Sequence, residues 1–223
     1  MRGILLIPVK DLSNAKQRLG AAFDQQRRTE LAEAMLRDVL TAAAGLRSRV
    51  DVALVTGDAR AKQMASEFGF LVIEDTRNES ETAAIEMATA WSEAQGYDTT
   101  VVIPGDIPLI RSDELDRVLD AAPDEGMVIV PAYDRRGSNG ILRRPASIIP
   151  LRFGNDSFLP HCEAMRRTGK PLIILECEGM GLDIDNPHEL ELLLAREGNT
   201  HAQRLLRSWK LTSESRAVPA FSG

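Results

Sequence analysis

Three short segments hold side chains able to handle phosphate and a divalent cation. "PGDIP" (104–108) sets Asp106 among turn residues directly after an apolar run. "LDIDNP" (182–187) carries Asp183 and Asp185 two residues apart, so in an extended segment both point to one side. "PVKDLSNAKQRLG" (8–20) gathers Lys10, Lys16 and Arg18 in a loop of small polar residues. Mg²⁺ takes one or two carboxylates together with substrate phosphate oxygens and waters. Cations and free backbone donors where a chain turns suit a triphosphate. Two carboxylate segments and a lysine loop in one chain therefore point to metal-assisted nucleotide chemistry.

Each segment also has a plain structural reading. Asp106 can close an Asx turn, and Asp185 or Asn186 can cap the helix that follows. The lysine loop can be solvated charge, since it is neither a Walker motif nor a Rossmann glycine fingerprint.

What must position these groups is a set of short apolar runs bounded by turn residues: 3–9, 50–57, 70–75, 99–106, 126–132 and 170–177. They are nearly continuous in aliphatics, as strands buried on both faces of a mostly parallel sheet are. Helical spacing fills the gaps. In 25–46, Leu31, Met35, Val39 and Leu40 are expected on one face, and further crossover helices are expected at 59–68 and 80–95. After Pro131 the chain turns to "YDRRGSNGILRRPASIIPLRFGNDSF", read as an antiparallel excursion and loops. A last helix starts with Asn186 as its cap and Pro187 at its first position, with Gly198 near its end. In open parallel sheets, ligands bind beyond the carboxyl ends of strands. Lys10, Thr56 and Asp106 all fall at such ends.

The 223 residues fit one α/β domain, expected over 1–210, with a small polar tail at 211–223 expected to be mobile. A hydrophobic share of 43% with 27% charged residues is that of a soluble globular protein, and no run is long enough to span a membrane. The start lacks a signal-peptide pattern, so a cytoplasmic location is expected. Cys162 and Cys177 are read as unpaired thiols. A net charge of −6 argues against nucleic acid as partner and leaves a small anion open.

The segments "IPVKDLSNAKQRL", "VVIPGDIPLI", "RGSNGILRRP", "FGNDSF" and "GLDIDNPHEL", in that order over residues 1 to 195, resemble the 2-phospho-L-lactate and phosphoenolpyruvate guanylyltransferase family of coenzyme F-420 biosynthesis. These are MobA-like nucleotidyltransferases. The resemblance implies a nucleotide-diphospho-sugar transferase fold, a single mostly parallel, mixed sheet flanked by helices. It also implies a reaction in which GTP and a phosphorylated three-carbon acid give a guanylylated acid and pyrophosphate. On that basis Asp106 and Asp185, with Asp183, are expected to hold Mg²⁺. Lys10, Lys16 and Arg18 are expected at the triphosphate, with Thr56 on the nucleotide side. Ser138, Asn139, Gly154 and Ser157 are expected around the acid's carboxylate.

Where many members have a glycine-rich segment near the guanine, this chain has "RNESETAAIEMA" (77–88). Glu81 and Thr82 can open the helix with groups for the base, or can be an ordinary helix start whose carboxylate complements the dipole. A phosphate monoester is largely ionised at neutral pH, so the reaction needs no general base. That agrees with His161, His188 and His201, which form no base arrangement; they are assigned to surface and packing roles, His161 being near enough "FGNDSF" to touch the substrate. Two other readings stay open: a molybdopterin or sugar-phosphate acceptor on the same fold, and a nucleotide-binding regulatory module without turnover. A homodimer is compatible with the sequence.

Overall fold

The computed structural model describes residues 2–47, 50–77, 79–154 and 156–210; the tail expected to be mobile lies outside them. Seven strands form one sheet: β1 (Gly3–Pro8), β2 (Asp51–Thr56), β3 (Leu71–Glu74), β4 (Thr99–Val102), β5 (Gly126–Pro131), β6 (Ser138–Arg144) and β7 (Leu172–Ile174). Their order is β3-β2-β1-β4-β6-β5-β7. All neighbours pair in parallel except β6, which runs antiparallel to both β4 and β5. β6 is the excursion expected after Pro131, and it turns the second half of the sheet so that the start of β6 reaches the same rim as the end of β4.

The apolar runs were expected to be buried on both faces, and alternation along the strands shows how. Leu5, Ile7, Leu54 and Val101 pack beneath α1 (Gln25–Ala44), α2 (Ala59–Phe68) and α4 (Ser112–Asp120). Ile4, Leu6, Val55 and Val102 pack beneath α3 (Glu81–Ala94) and α5 (Phe158–Arg167). Each fully buried aliphatic contributes roughly 1.5–3 kcal/mol, so the two faces together hold a three-layer sandwich.

Helix α1 departs from the expected single face. Val39 and Leu40 face the sheet, whereas Leu31 and Met35 join a separate cluster with Ile184, Leu193 and Leu206. That cluster seats α6 (Pro187–Ala195) and α7 (His201–Ser208) on the outer side of α1. α6 begins as the sequence indicates, with Pro187 first and Asn186 capping through its side chain. β4 ends at Val102, short of the apolar run, because Pro104 and Gly105 stop the ladder. Both cysteines are buried and unpaired. Among the described residues, no helix is long and apolar enough to cross a membrane.

Candidate active site

Strands β1 and β4 are parallel neighbours, yet the chain runs from β1 through β2 to β3 at one edge before returning to β4 on the other side. Connections leaving β1 and β4 diverge at such a switch point and leave a crevice at the strand ends. The lysine loop leaves β1 and the Asp106 segment leaves β4, so both open into that crevice. The third segment is tied in by one backbone bond: Ile184 N–H donates to the Asp106 carbonyl at 3.1 Å. Ile184 is fully buried and anchors the strip that carries Asp183 and Asp185.

Local hydrogen bonding decides how α6 is capped. The cap of α6 is Asn186, and Glu189 closes the capping box by accepting from Asp185 N–H at 2.6 Å and Asn186 N–H at 3.0 Å. The Asp185 carboxylate is therefore free for the crevice. It accepts from Lys16 Nζ at 2.8 Å, and Lys16 Nζ also donates to Asp106 Oδ2. Asp106 thus serves a cation and not its own turn. Lys16 adopts left-handed backbone, φ 55°, a conformation that L side chains rarely take, and its side chain is buried between the two carboxylates. Arg18 stands outside, 3.8 Å from the other Asp185 oxygen. Burial opposes the Lys16 charge, but Asp106 and Asp185 outweigh it and hold the ammonium above its ordinary range. Burial likewise pushes Asp185 up, and Lys16 overrides it to keep the carboxyl below its usual range.

Two compartments meet at Asp106. One, about 310 Å³, is lined by Pro8, Val9, Lys10, Leu12, Lys16 and Gly105 among others. The other, about 560 Å³, is lined by Ser138, Asn139, Gly154, Ser157, Asp183 and Asp185 together with Arg18 and Arg136. Glu81, Pro104 and Asp106 belong to both. A larger surface groove of about 740 Å³ between α1, α2 and α7 shares no lining residue with either.

Most expected residues converge here; Arg18, expected at the triphosphate, lines the larger compartment instead of the lysine-lined one, and two others take indirect places. Thr56 is fully buried, lines neither compartment, and its hydroxyl accepts from Asp58 N–H at 3.0 Å. Asp58 in turn accepts from Leu12 N–H at 3.1 Å, so Thr56 bears on the lysine loop only through Asp58. Thr82 also lines neither; its hydroxyl accepts from Phe153 N–H at 3.0 Å and pins the "FG" segment to α3. Glu81 sits where the compartments join. Burial, then the neighbouring Asp106 charge, pushes its carboxyl up to about 7. Lys10 lies at the rim, its Nζ 3.4 Å from the Glu79 carbonyl.

In the larger compartment Asn139 Nδ2 donates to the Met180 carbonyl and to Asp183 Oδ1, each at 3.0 Å. Burial, then Asp106, pushes the Asp183 carboxyl up to about 6. Gly154 has φ 139°, backbone that only glycine adopts freely, and leaves its wall without a Cβ. The sequence reading missed Arg136, a cation on this wall whose Nε donates to Asp156 Oδ1 at 2.6 Å. The Arg135–Arg136 pair directly before "GSN" was the available signal. His161 takes the packing role expected of it and does not reach the substrate side: the imidazole is buried behind Ser138, 2% exposed.

Asp106 and Asp185 aim oxygen donors at one cation, the Lys16 ammonium. Hard divalent cations use the same donors, and Mg²⁺ needs few protein ligands when phosphates supply the rest. Among the described residues no three Asp, Glu, His or Cys side chains converge as a metal-holding group. The donor set therefore fits a Mg²⁺ shared with a substrate and not an all-protein cage.

A family model described as "Guanylyl transferase CofC like" matches residues 3–221. A phosphoenolpyruvate guanylyltransferase from Roseiflexus castenholzii is 33% identical over 95% of this chain and 97% of its own. A 2-phospho-L-lactate guanylyltransferase from Methanothermobacter thermautotrophicus is 32% identical over 95% and 93%. Among solved structures, one from Desulfovibrio desulfuricans G20 described as a nucleotide-diphospho-sugar transferase superposes with a TM-score of 0.77 at 23% identity, covering 94% of this chain and 96% of that one. A cytidylyltransferase from Leptospira borgpetersenii superposes at 0.60 with 16% identity, covering 94% of each.

Proposed function

This chain belongs to the CofC-like guanylyl transferase family, and from that premise we propose that its two-compartment crevice joins GTP to a phosphorylated three-carbon acid. The chain is a nucleotidyltransferase. It transfers GMP to the acid's phosphate and releases pyrophosphate. The relatives are named for phosphoenolpyruvate and for 2-phospho-L-lactate. Those names favour this reading over a molybdopterin or sugar-phosphate acceptor. The observation that carries it is the meeting of a lysine-lined and a serine-lined compartment at Asp106.

In this reading the nucleotide lies along the lysine loop, with its α-phosphorus near Asp106. The acid lies against Ser138, Asn139, Gly154 and Ser157, with Arg136 and Arg18 supplying positive charge for its anionic groups. One phosphate oxygen of the acid forms a bond to the α-phosphorus as the bond to the β-phosphate bridge breaks, and pyrophosphate leaves with the electron pair. The acid's phosphate is already ionised, so no side chain has to remove a proton. The obstacle is repulsion between two anions. Asp106 and Asp185, with Asp183 alongside, would hold Mg²⁺, which neutralises charge on the phosphoryl oxygens and orients both reactants. Lys16 and Lys10 steady the departing pyrophosphate.

The test is Asp106→Asn. The variant is expected to fold as the parent does and to lose about 100- to 1,000-fold in kcat, the loss typical of removing one group that stabilises transition-state charge. Parent-like turnover would remove Asp106 from the chemistry.

A further inference from the structure

The polar compartment is backed by a hydrogen-bonded chain that ends on a buried imidazole. Arg152 N–H donates to His161 Nε2 at 2.9 Å. A ring nitrogen that accepts carries no proton, so the neutral imidazole has its hydrogen on Nδ1. Nδ1 lies 3.0 Å from Ser138 Oγ and donates to it. Ser157 Oγ, at 3.3 Å, donates to the same oxygen. Both lone pairs of Ser138 Oγ are then engaged by the protein. Its own hydrogen is left for the compartment that Ser138 lines.

We propose that His161 is a positioning residue: it acts through Ser138, turning that hydroxyl into an obligate hydrogen-bond donor toward the carboxylate of the acid. A free serine rotates between donor and acceptor roles. Held this way, Ser138 favours an anionic oxygen and repels a group that needs an acceptor. Burial, with the neighbouring Arg143 charge, pushes the imidazole down to about 4, which keeps it neutral under physiological conditions. Phe153 packs edge-on against the ring, centroids 5.7 Å apart, and fixes its plane. The inference rests on the acid-binding role given above to the serine-lined compartment.

The test contrasts two amides. Asparagine places its side-chain NH₂ near the position of Nδ1, and glutamine places its carbonyl near that of Nε2. His161→Asn therefore keeps the donor to Ser138 and loses the bond from Arg152, while His161→Gln does the reverse. Steady-state kinetics with GTP are run against phosphoenolpyruvate, 2-phospho-L-lactate and 3-phosphoglycerate separately. His161→Gln is expected to raise the acid's KM about tenfold with the GTP KM unchanged, the cost of one hydrogen bond to a charged group. His161→Asn is expected to stay within about threefold of the parent, on the same reasoning. Ser138→Ala should match His161→Gln, and combining the two should add nothing. Equal effects of the two amides, additive effects, or an unchanged acid KM would each overturn the proposal. If neither histidine variant folds, the parent's imidazole tautomer decides together with Ser138→Ala: a nitrogen-15 NMR signature of Nδ1–H with a selective rise in acid KM supports the proposal, and the Nε2–H tautomer or an unchanged acid KM overturns it. A parent protein inactive with all three acids would overturn the functional reading itself, a result distinct from an active parent whose KM does not respond.

Discussion

The ammonium of Lys16 lies 2.8 Å from the Asp185 carboxylate and bonds Asp106 as well, so one cation bridges two loops that leave different parts of the chain. That arrangement anticipates the divalent ion proposed for the same oxygens. A metal held there as proposed would compete with the lysine for the carboxylates, and binding of one would move the other. With nucleotide bound as proposed, the triphosphate would give the displaced ammonium a place to go.

Removing the competitor should separate metal affinity from turnover. Lys16→Met is expected to bind Mn²⁺ about tenfold more tightly than the parent without nucleotide, the order expected when one close ion pair no longer has to be broken. Its kcat should fall by about 100-fold through loss of leaving-group stabilisation. Calorimetric titration with Mn²⁺ reads the first effect. Equal or weaker binding would show that the lysine does not occupy the metal's place.

Glu81 and Asp183 give the fold a pH dependence with a definite sign. Their folded-state values, about 7 and about 6, lie above those of an unfolded chain. The native state therefore holds more protons than the unfolded one between roughly pH 4 and 7, and stability falls as pH rises through that window. Glu81→Gln removes the larger part. The variant should gain about 2 kcal/mol over the parent at pH 8 and almost nothing at pH 4.5. Urea unfolding at both pH values checks this; an equal gain at both would mean that the Glu81 proton plays no part.

A purely structural carboxylate offers a contrast. Asp38, buried on α1, accepts from His201 N–H at 2.6 Å and Ala202 N–H at 2.9 Å and so caps α7 from another helix. Asp38→Ala leaves two backbone donors unsatisfied and should cost about 1–3 kcal/mol of stability. Both Michaelis constants should stay unchanged, because α7 lines neither compartment of the crevice. A shift in either would connect α7 to the site.

The strand runs, three crossover helices and the Asn186 cap were legible because each rests on local pattern: aliphatic runs, helical spacing, turn chemistry. The short helices α4, α5 and α7 were not singled out, since eight to ten residues with charged faces give little period to read. Asp106, Asp183, Asp185 and Lys16 could be found as site candidates because they stand at strand ends or just before a helix. Their mutual contacts could not, because Lys16 reaches Asp185 across 169 residues of sequence. Thr56 misled for a related reason: a strand end marks the right rim, but burial and the Asp58 bond turn its hydroxyl inward. His161 was read as a packing residue near the substrate segment, and in the fold it stands one serine behind the compartment, a contact that proximity in sequence could not specify.

The central claim is tested most directly by Mg²⁺-dependent pyrophosphate release from GTP, with phosphoenolpyruvate, 2-phospho-L-lactate and 3-phosphoglycerate supplied one at a time and ATP and CTP as nucleotide controls. The account predicts release that requires GTP and one of the acids together and that stops when Mg²⁺ is chelated. Folded protein that binds nucleotide but releases no pyrophosphate with any of the three acids, or that prefers CTP, would contradict it.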